Sequence, residues 1–215
     1  GSNSNILIYR DRLCDHTELE KFIDKNKLVD KWDFTGFVSS GDRRFGDYFK
    51  VSNSIATLAN KVFIHNTKED GSLEFDIEES ILRIAKSPKT EQYHINQKII
   101  FPYQYENGIL KRYSDDEFKS KFPLAYKYLN SKIKILKERD SDEKAKWFEY
   151  GRSQALAHLN CKKLLMSTII TRRVRIYKLD AKTIPYSGLY IIPKNTLSLD
   201  SAVTILQSQH FYDYL

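Results

Sequence analysis

The sequence predicts an α+β fold: a twisted, mostly antiparallel sheet with hairpins and several short-to-medium helices. Three observations lead there. The turn dipeptide Asn107-Gly108 is flanked by the apolar runs Ile99-Ile100-Phe101 and Ile109-Leu110, a hairpin signal. Arg172-Arg173-Val174-Arg175-Ile176-Tyr177-Lys178 alternates basic and apolar residues with the period of a half-exposed strand. Ser114-Asp115-Asp116-Glu117 has capping-box spacing, and Phe122, Ala125, Leu129, Ile133 and Leu136 recur behind it at helical spacing.

The remaining elements follow in order. Asp15 and Glu18 have capping spacing ahead of the stripe Leu19, Phe22 and Ile23, which predicts a short helix stopping at Asn26. From Trp32 to Asp47 the chain is irregular, with Gly36, Gly41 and Gly46 separating aromatics and the pair Arg43-Arg44. A single arginine there is more often solvent-facing than bound to phosphate. Tyr48-Phe49-Lys50-Val51 and Lys61-Val62-Phe63-Ile64-His65 read as strands. Asp70-Gly71 marks a turn, and Asp76 and Glu79 then predict a short helix carrying Ile81, Leu82 and Ala85, ended by Ser87-Pro88.

Pro102 is expected at a sheet edge or bulge, and Pro123 as the first residue of a second helix. That helix carries Lys127, Lys132, Lys134 and Lys137 on its other faces, for which a solvated face is the expectation, and it runs out near residues 139–142. One or two helical turns over Ala155 to Leu159, strands over Lys162–Thr171 and Leu189–Pro193, and a final helix from Asp200 to Leu206 complete the reading.

The 215 residues are 41% hydrophobic and 13% aromatic, enough for a real core and unlike a disordered chain. A net charge of +7 and pI near 9.2 favour a polyanionic partner. The excess is local: residues 111–175 hold 17 Lys and Arg against 8 Asp and Glu. Cys14 and Cys161 are far apart, which argues against a disulfide framework or a zinc ribbon and fits a reducing, cytoplasmic setting. No apolar run has membrane-spanning length, so no membrane partner is expected. Gly1-Ser2-Asn3 reads as a cloning remnant, with the natural N-terminus further upstream.

The chemically dense stretch is Lys146-Trp147-Phe148-Glu149-Tyr150-Gly151-Arg152-Ser153-Gln154. A helix interior disfavours Gly151 and a strand gains nothing from Gly-Arg-Ser, so the segment reads as a shaped loop. Its groups suit nucleic acid: Arg152 for phosphates or guanine edges, Gln154 for adenine, Ser153 for either, rings for packing. The competing reading is that Trp147, Phe148 and Tyr150 pin a loop to the core while Arg152 makes a structural salt bridge. If the basic strand faces DNA, Arg173 and Arg175 share one side and Arg172 the other.

Residues 147–154 resemble the W-[FY]-x-Y-G-R-S-Q signature of the TaqI-like C-terminal specificity domain. That is the target recognition part of many adenine-specific DNA methyltransferases and of fused type II restriction–modification enzymes. "Gly-Asp-x-Phe-x-Val … Ile-Ala-Thr-Leu-x-x-Lys-Val-Phe-Ile" in residues 46–64, and "Ile-Ile-Phe-Pro-Tyr" before the Asn-Gly turn, are similar to the same family. The resemblance spans residues 45–215, making residues 1–44 a lead-in from a catalytic domain and implying that the family's chain continues beyond Leu215. It implies a domain that clamps double-stranded DNA against the catalytic methyltransferase domain of the same bacterial, cytoplasmic parent. It adds Ser54 and Thr57, in the loop after the first strand, to the DNA-binding candidates Lys146, Trp147, Tyr150, Arg152, Ser153, Gln154, Arg172, Arg173 and Arg175.

Catalytic residues are absent from the reading. A methyltransferase of this class needs a glycine-rich loop for S-adenosylmethionine and an Asn/Asp-Pro-Pro-Tyr/Phe motif to grip the flipped adenine. The sequence has no Pro-Pro pair and no G-x-G-x-x-G, so S-adenosylmethionine is expected in the catalytic domain and no cofactor or metal here. Asp140, Asp142, Glu143 and Lys144 superficially supply nuclease ligands, but in a polar connection where a solvated loop is expected. The histidines lack metal spacing; His158-x-x-Cys161 offers two ligands at most. Two alternatives stand beside the methyltransferase reading. One is a domain of a bifunctional endonuclease–methylase. The other is a protein-docking module with little DNA contact, anchored by Tyr103, Tyr105 and Tyr113. Single-stranded RNA binding lacks an RNP or KH signature.

Overall fold

A computed structural model describes residues 6–9, 12–15, 44–170, 173–195, 197–209 and 211. The described elements are β1 (Ile6–Tyr9), β2 (Arg12–Asp15), α1 (Phe45–Tyr48), β3 (Phe49–Asn53), α2 (Asn60–Phe63), β4 (Ile64–Asn66), β5 (Leu82–Lys86), α3 (Pro88–Gln92), β6 (Gln97–Ile100), β7 (Tyr103–Glu106), β8 (Ile109–Arg112), α4 (Asp115–Lys121), α5 (Pro123–Ser131), α6 (Ile133–Lys137), β9 (Lys163–Met166), β10 (Ile176–Leu179), β11 (Ile184–Pro185), β12 (Leu189–Pro193) and α7 (Leu199–Leu206). The fold is α+β, and the described sheets are mostly antiparallel.

The chain forms two compact units. One comprises residues 1–50 and 193–215; its described parts are the β1–β2 hairpin, α1 and α7, the last capped by Ser198 accepting from Ser201 N. Asp200 sits in the first turn of α7, one residue inside the helix start, where its charge suits the helix dipole. The short helix expected over Leu19 to Ile23 lies outside the described residues, and Asp15, its expected first residue, ends strand β2.

The second unit, Val51–Ile192, holds one continuous core. Its sheets run β10-β9-β12-β3 and β11-β5-β6-β4, with the hairpin β7–β8 separate. Phe63, Ile99, Ile100, Phe101, Phe118, Phe148 and Tyr150 are among the residues that fill the centre. Asn107 and Gly108 both have positive φ, 50° and 79°, the conformation a two-residue hairpin turn demands. The hairpin pairs Tyr103 with Arg112, so its first strand begins after Pro102; the expected partner run, Ile99-Ile100, belongs to β6 in another sheet. Proline's missing N–H breaks the ladder between them.

Three expectations are corrected. Lys61–Phe63 is a helical turn and only Ile64–Asn66 is strand, because adjacent Val62 and Phe63 both need burial and a strand would turn one outward. Leu82–Lys86 is a strand, not a helix. It is hydrogen-bonded on both edges, to β6 and β11, and those ladders override the local helix signal. Of the two acids with capping spacing, Glu79 instead pairs with Lys98 at 2.6 Å, and its neighbour Glu78 caps the distant α5 through Leu124 N and Ala125 N. Ser87-Pro88 therefore starts a helix, α3, with Ser87 as its N-cap and Pro88 at its first position.

The Ser114 capping box and the Pro123 helix start are present as expected, and Lys127, Lys132, Lys134 and Lys137 are exposed. The 162–171 and 172–178 strands are shorter than expected, reduced to β9 and β10, so Arg173 and Arg175 precede a strand rather than alternate along it.

Candidate nucleic-acid interface

The 146–154 stretch is a loop, as its glycine and polar run require, and it is tied down from three directions. Arg139, just past α6, spends its guanidinium on backbone carbonyls: Nε to Leu136, Nη1 to Thr57 at 2.6 Å, and Nη2 to Trp147 and Glu149 at 3.0 Å each. It also lies over the Phe63 ring, 5.5 Å from the centroid. One cation thus binds the end of α6, the 54–60 loop and the 146–150 loop into one body. Burial draws its pKa below the ordinary value, but a guanidinium stays charged.

Glu149 supplies the second tie. Its carboxylate is buried and receives a two-pronged Arg112 guanidinium, with Nε to Oε1 at 2.7 Å and Nη2 to Oε2, plus Lys146 N at 2.8 Å. The Glu149 hydrogen bonds push the Arg112 pKa up. Tyr150 is the third tie. Its N–H donates to Tyr103 Oη and its hydroxyl donates to Ile100 O, both at 2.8 Å.

These ties redistribute the sequence candidates. Tyr150 is wholly buried, so its ring offers DNA no surface; it anchors the loop in the core. Thr57 is wholly buried too, its hydroxyl donating to Asn60 Oδ1 and accepting from Ala59 N. Both side chains are held inside the fold, with no exposed surface. Lys146 donates to Tyr113 O over the Phe148 ring, and Trp147 packs edge-on against Tyr126 and Phe148 with its indole N–H toward Asp115. Tyr103 and Tyr113 are buried and Tyr105 is packed on the same core, which removes them as anchors for a docking partner.

What the loop presents outward is Arg152, Ser153 and Gln154. Ser153 and Gln154 are exposed, and among the described residues the Gln154 amide has no hydrogen-bond partner. Arg152 is half-buried between two carboxylates, Asp140 at 2.8 Å and Asp142 at 3.4 Å. Asp142 also receives Ser153 N and Oγ, so it shapes the turn, whereas Asp140 is almost fully exposed and, among the described residues, pairs only with Arg152.

The structure joins the two sequence-distant loops. Gly151 N donates to Thr57 O and Arg152 N to Ala56 O, both 3.1 Å, an isolated antiparallel bridge between Ala56 and Arg152. Ser54, on the same loop, is fixed by its N and Oγ to Gly188 O. Arg173 and Arg175 are exposed in the segment entering β10 and take no part in this bridge; Arg172 lies outside the described residues. Arg112, Arg139, Glu149 and the acids at 140 and 142 were not among the sequence candidates. Their partners lie across the fold, and only the local acid–Arg152 spacing held a readable signal. Among the described residues no group of three or more His, Cys, Asp or Glu could hold a metal ion, and no helix is long and apolar enough to cross a membrane.

No protein-family model matches the chain. The chain is 24% identical, over an alignment of 155 positions, to the Type II restriction enzyme and methyltransferase RM.Eco57I of Escherichia coli. That alignment covers 60% of this chain and 15% of the relative, so the chain is related to a restriction–modification enzyme and spans a small part of its length. Among solved structures, the Type IIL restriction–modification enzyme MmeI in complex with DNA aligns with a TM-score of 0.46 and 14% identity, over 74% of this chain and 20% of that one.

Proposed function

We propose that this chain is a DNA target recognition domain of a restriction–modification enzyme, reading duplex DNA for an adenine-specific methyltransferase of the same parent protein. The observation that carries this reading is the convergence of the 54–60 and 139–154 loops. Rigid internal ties leave Arg152, Ser153 and Gln154 as the groups turned outward. A recognition loop needs that division, because side chains that read bases are effective only when their backbone is held in place. Ser54 belongs to the same platform, and Arg173 and Arg175 add exposed charge for phosphates.

The reading assigns recognition, and not methyl transfer, to these residues. None of them forms a glycine-rich S-adenosylmethionine cradle or an Asn-Pro-Pro-Tyr grip, so the cofactor chemistry falls to the catalytic domain of the parent. Relatedness to a fused enzyme favours a bifunctional endonuclease–methylase parent over a free-standing methyltransferase.

The test is a salt titration of binding to duplex DNA with Arg152→Ala alongside the unaltered chain. Affinity should fall linearly in log–log form with salt. The variant should lose ~1–3 kcal/mol of binding, with little loss of thermal stability because its Asp140 partner is exposed and its Asp142 contact is long, 3.4 Å. No binding at low salt, or an Arg152→Ala variant that unfolds early yet binds normally, overturns the reading.

A further inference from the structure

A cavity of about 280 Å³ lies away from the 146–154 loop, lined by Arg83, Phe101, Tyr105, Asn160, Lys182 and Ile184, with Ala181 completing its wall. Its floor is apolar and aromatic, with Phe101 and Ile184 buried and the Tyr105 ring 6.0 Å from that of Phe101. Its polar groups are donors: two cations and an amide, with no carboxylate among the lining residues. Arg83 is fixed at one end only. Its Nη1 donates to Ser80 O at 2.9 Å and Leu82 O at 2.7 Å while the guanidinium lies over Phe101, leaving Nε and Nη2 without partners among the described residues.

A third cation, outside the lining, holds the Ala181–Lys182 segment in place. Lys163, wholly buried, donates to Asp180 O at 2.8 Å and Thr183 O at 3.0 Å, bracketing Ala181 and Lys182. Nearby Asp180 accepts from Lys182 N, Thr183 N and Thr183 Oγ1 through one carboxylate oxygen, Oδ1, which shapes the turn. A concave site lined by two cations, an amide and aromatic rings, with no carboxylate in its lining, selects a small anion that carries a flat or apolar part.

We infer that this cavity binds a phosphate ester, its phosphoryl oxygens between Arg83, Lys182 and Asn160 and its sugar or base against Tyr105. Bare phosphate would leave the aromatic floor unused, so a nucleotide unit fits better than the free ion. The same chemistry has two sources, a free mononucleotide or a backbone phosphate of DNA. The inference does not depend on Arg152 contacting DNA.

The experiment titrates the full chain with adenosine 5′-monophosphate, with inorganic phosphate, and with a short DNA duplex, following heat release and melting temperature. Adenosine monophosphate should bind saturably and more tightly than inorganic phosphate. Lys182→Gln, at an exposed side chain, should weaken it about tenfold, in line with a lost charged hydrogen bond, without shifting the ligand-free melting temperature. Arg83→Gln should weaken it as well, and serves as the second variant. Duplex that displaces the mononucleotide identifies a backbone phosphate as the ligand; duplex and mononucleotide that bind together identify a free nucleotide. The inference fails if neither phosphate compound binds, or if both variants bind them as the unaltered chain does. Neither failure would touch the Arg152 reading, which is scored on duplex affinity alone.

Discussion

Gly151 lies so close to Leu58 that a Cβ on the glycine would stand 2.5 Å from Leu58 Cδ1, 2.6 Å from Cγ and 3.0 Å from Cβ. The leucine cannot simply swing its tip aside, because its own Cβ is in the way and its backbone sits at φ 55°, in the left-handed region. Gly151→Ala should therefore push the two loops apart and cost ~1–3 kcal/mol. A second change, Leu58→Ala, removes Cγ and Cδ1 and should restore most of that loss. Urea unfolding of the single and double variants checks the pair. A double variant no better than Gly151→Ala would mean that the strain arises elsewhere.

Glu149 and Arg112 make an ion pair in which the carboxylate is almost sealed and the guanidinium partly wet. Glu149→Ala strands Lys146 N and removes both prongs from Arg112, while the exposed side of Arg112 can rehydrate. The expected loss is ~3 kcal/mol, the lower end for breaking a buried pair. Glu149→Gln keeps an acceptor and should lose less. Since this pair ties the 146–154 loop down, duplex affinity should fall with the same order of severity, which thermal melting and binding measured together will show.

Asp140 and Asp142 hold Arg152 in place and also cancel its charge toward an approaching phosphate. The two can be separated, because Asp142 also receives Ser153 whereas Asp140, among the described residues, pairs only with Arg152. Asp140→Asn should tighten duplex binding several-fold at low salt, by up to ~1 kcal/mol for an exposed charge, and the gain should shrink as salt screens it. Asp142→Asn should gain less or lose, because it loosens the turn. Anisotropy titrations at two salt concentrations decide this; a tighter Asp142→Asn than Asp140→Asn would contradict the division of roles.

Much of this fold was legible where the signal is local. The Asn107-Gly108 turn, the Ser114 cap, the Pro123 helix start and the solvated lysines are each decided by neighbours within a few residues. Leu82–Lys86 was not, because its strand state comes from β6 and β11, and the cap-spaced Glu79 pairs with Lys98 instead. The same division runs through the candidate site. That 146–154 is a shaped loop follows from Gly151 and its flanking rings, whereas the burial of Tyr150 and Thr57 depends on Tyr103, Ile100 and Arg139, brought in by tertiary packing. An aromatic in a motif is equally consistent with a contact and a peg until its hydroxyl's partner is known.

Lys163 makes stability depend on pH in a direction opposite to most surface lysines. Burial draws its pKa from 10.5 to about 8, despite the carbonyls that receive its ammonium. The folded chain therefore gives up this proton before the unfolded chain does. Between about pH 8 and 10.5 the unfolded state holds more protons, and stability rises with pH. Buried phenols act against it from pH 10 upward: Tyr103, Tyr105 and Tyr150 are all raised by burial, so the folded state keeps protons the unfolded state loses. The gain is thus visible from about pH 8 to 10. Lys163→Met, of similar length and without a titrating group, should lack it. The Cys161 thiol is raised by burial and lowered by the Lys163 charge, so both proteins carry Cys161→Ala to take its titration out of the comparison. Urea unfolding of both across that range should show the unaltered chain gaining on the variant as pH climbs. If the difference stays constant, the carbonyls of Asp180, Ala181 and Thr183 keep Lys163 charged throughout, and desolvation does not govern this site.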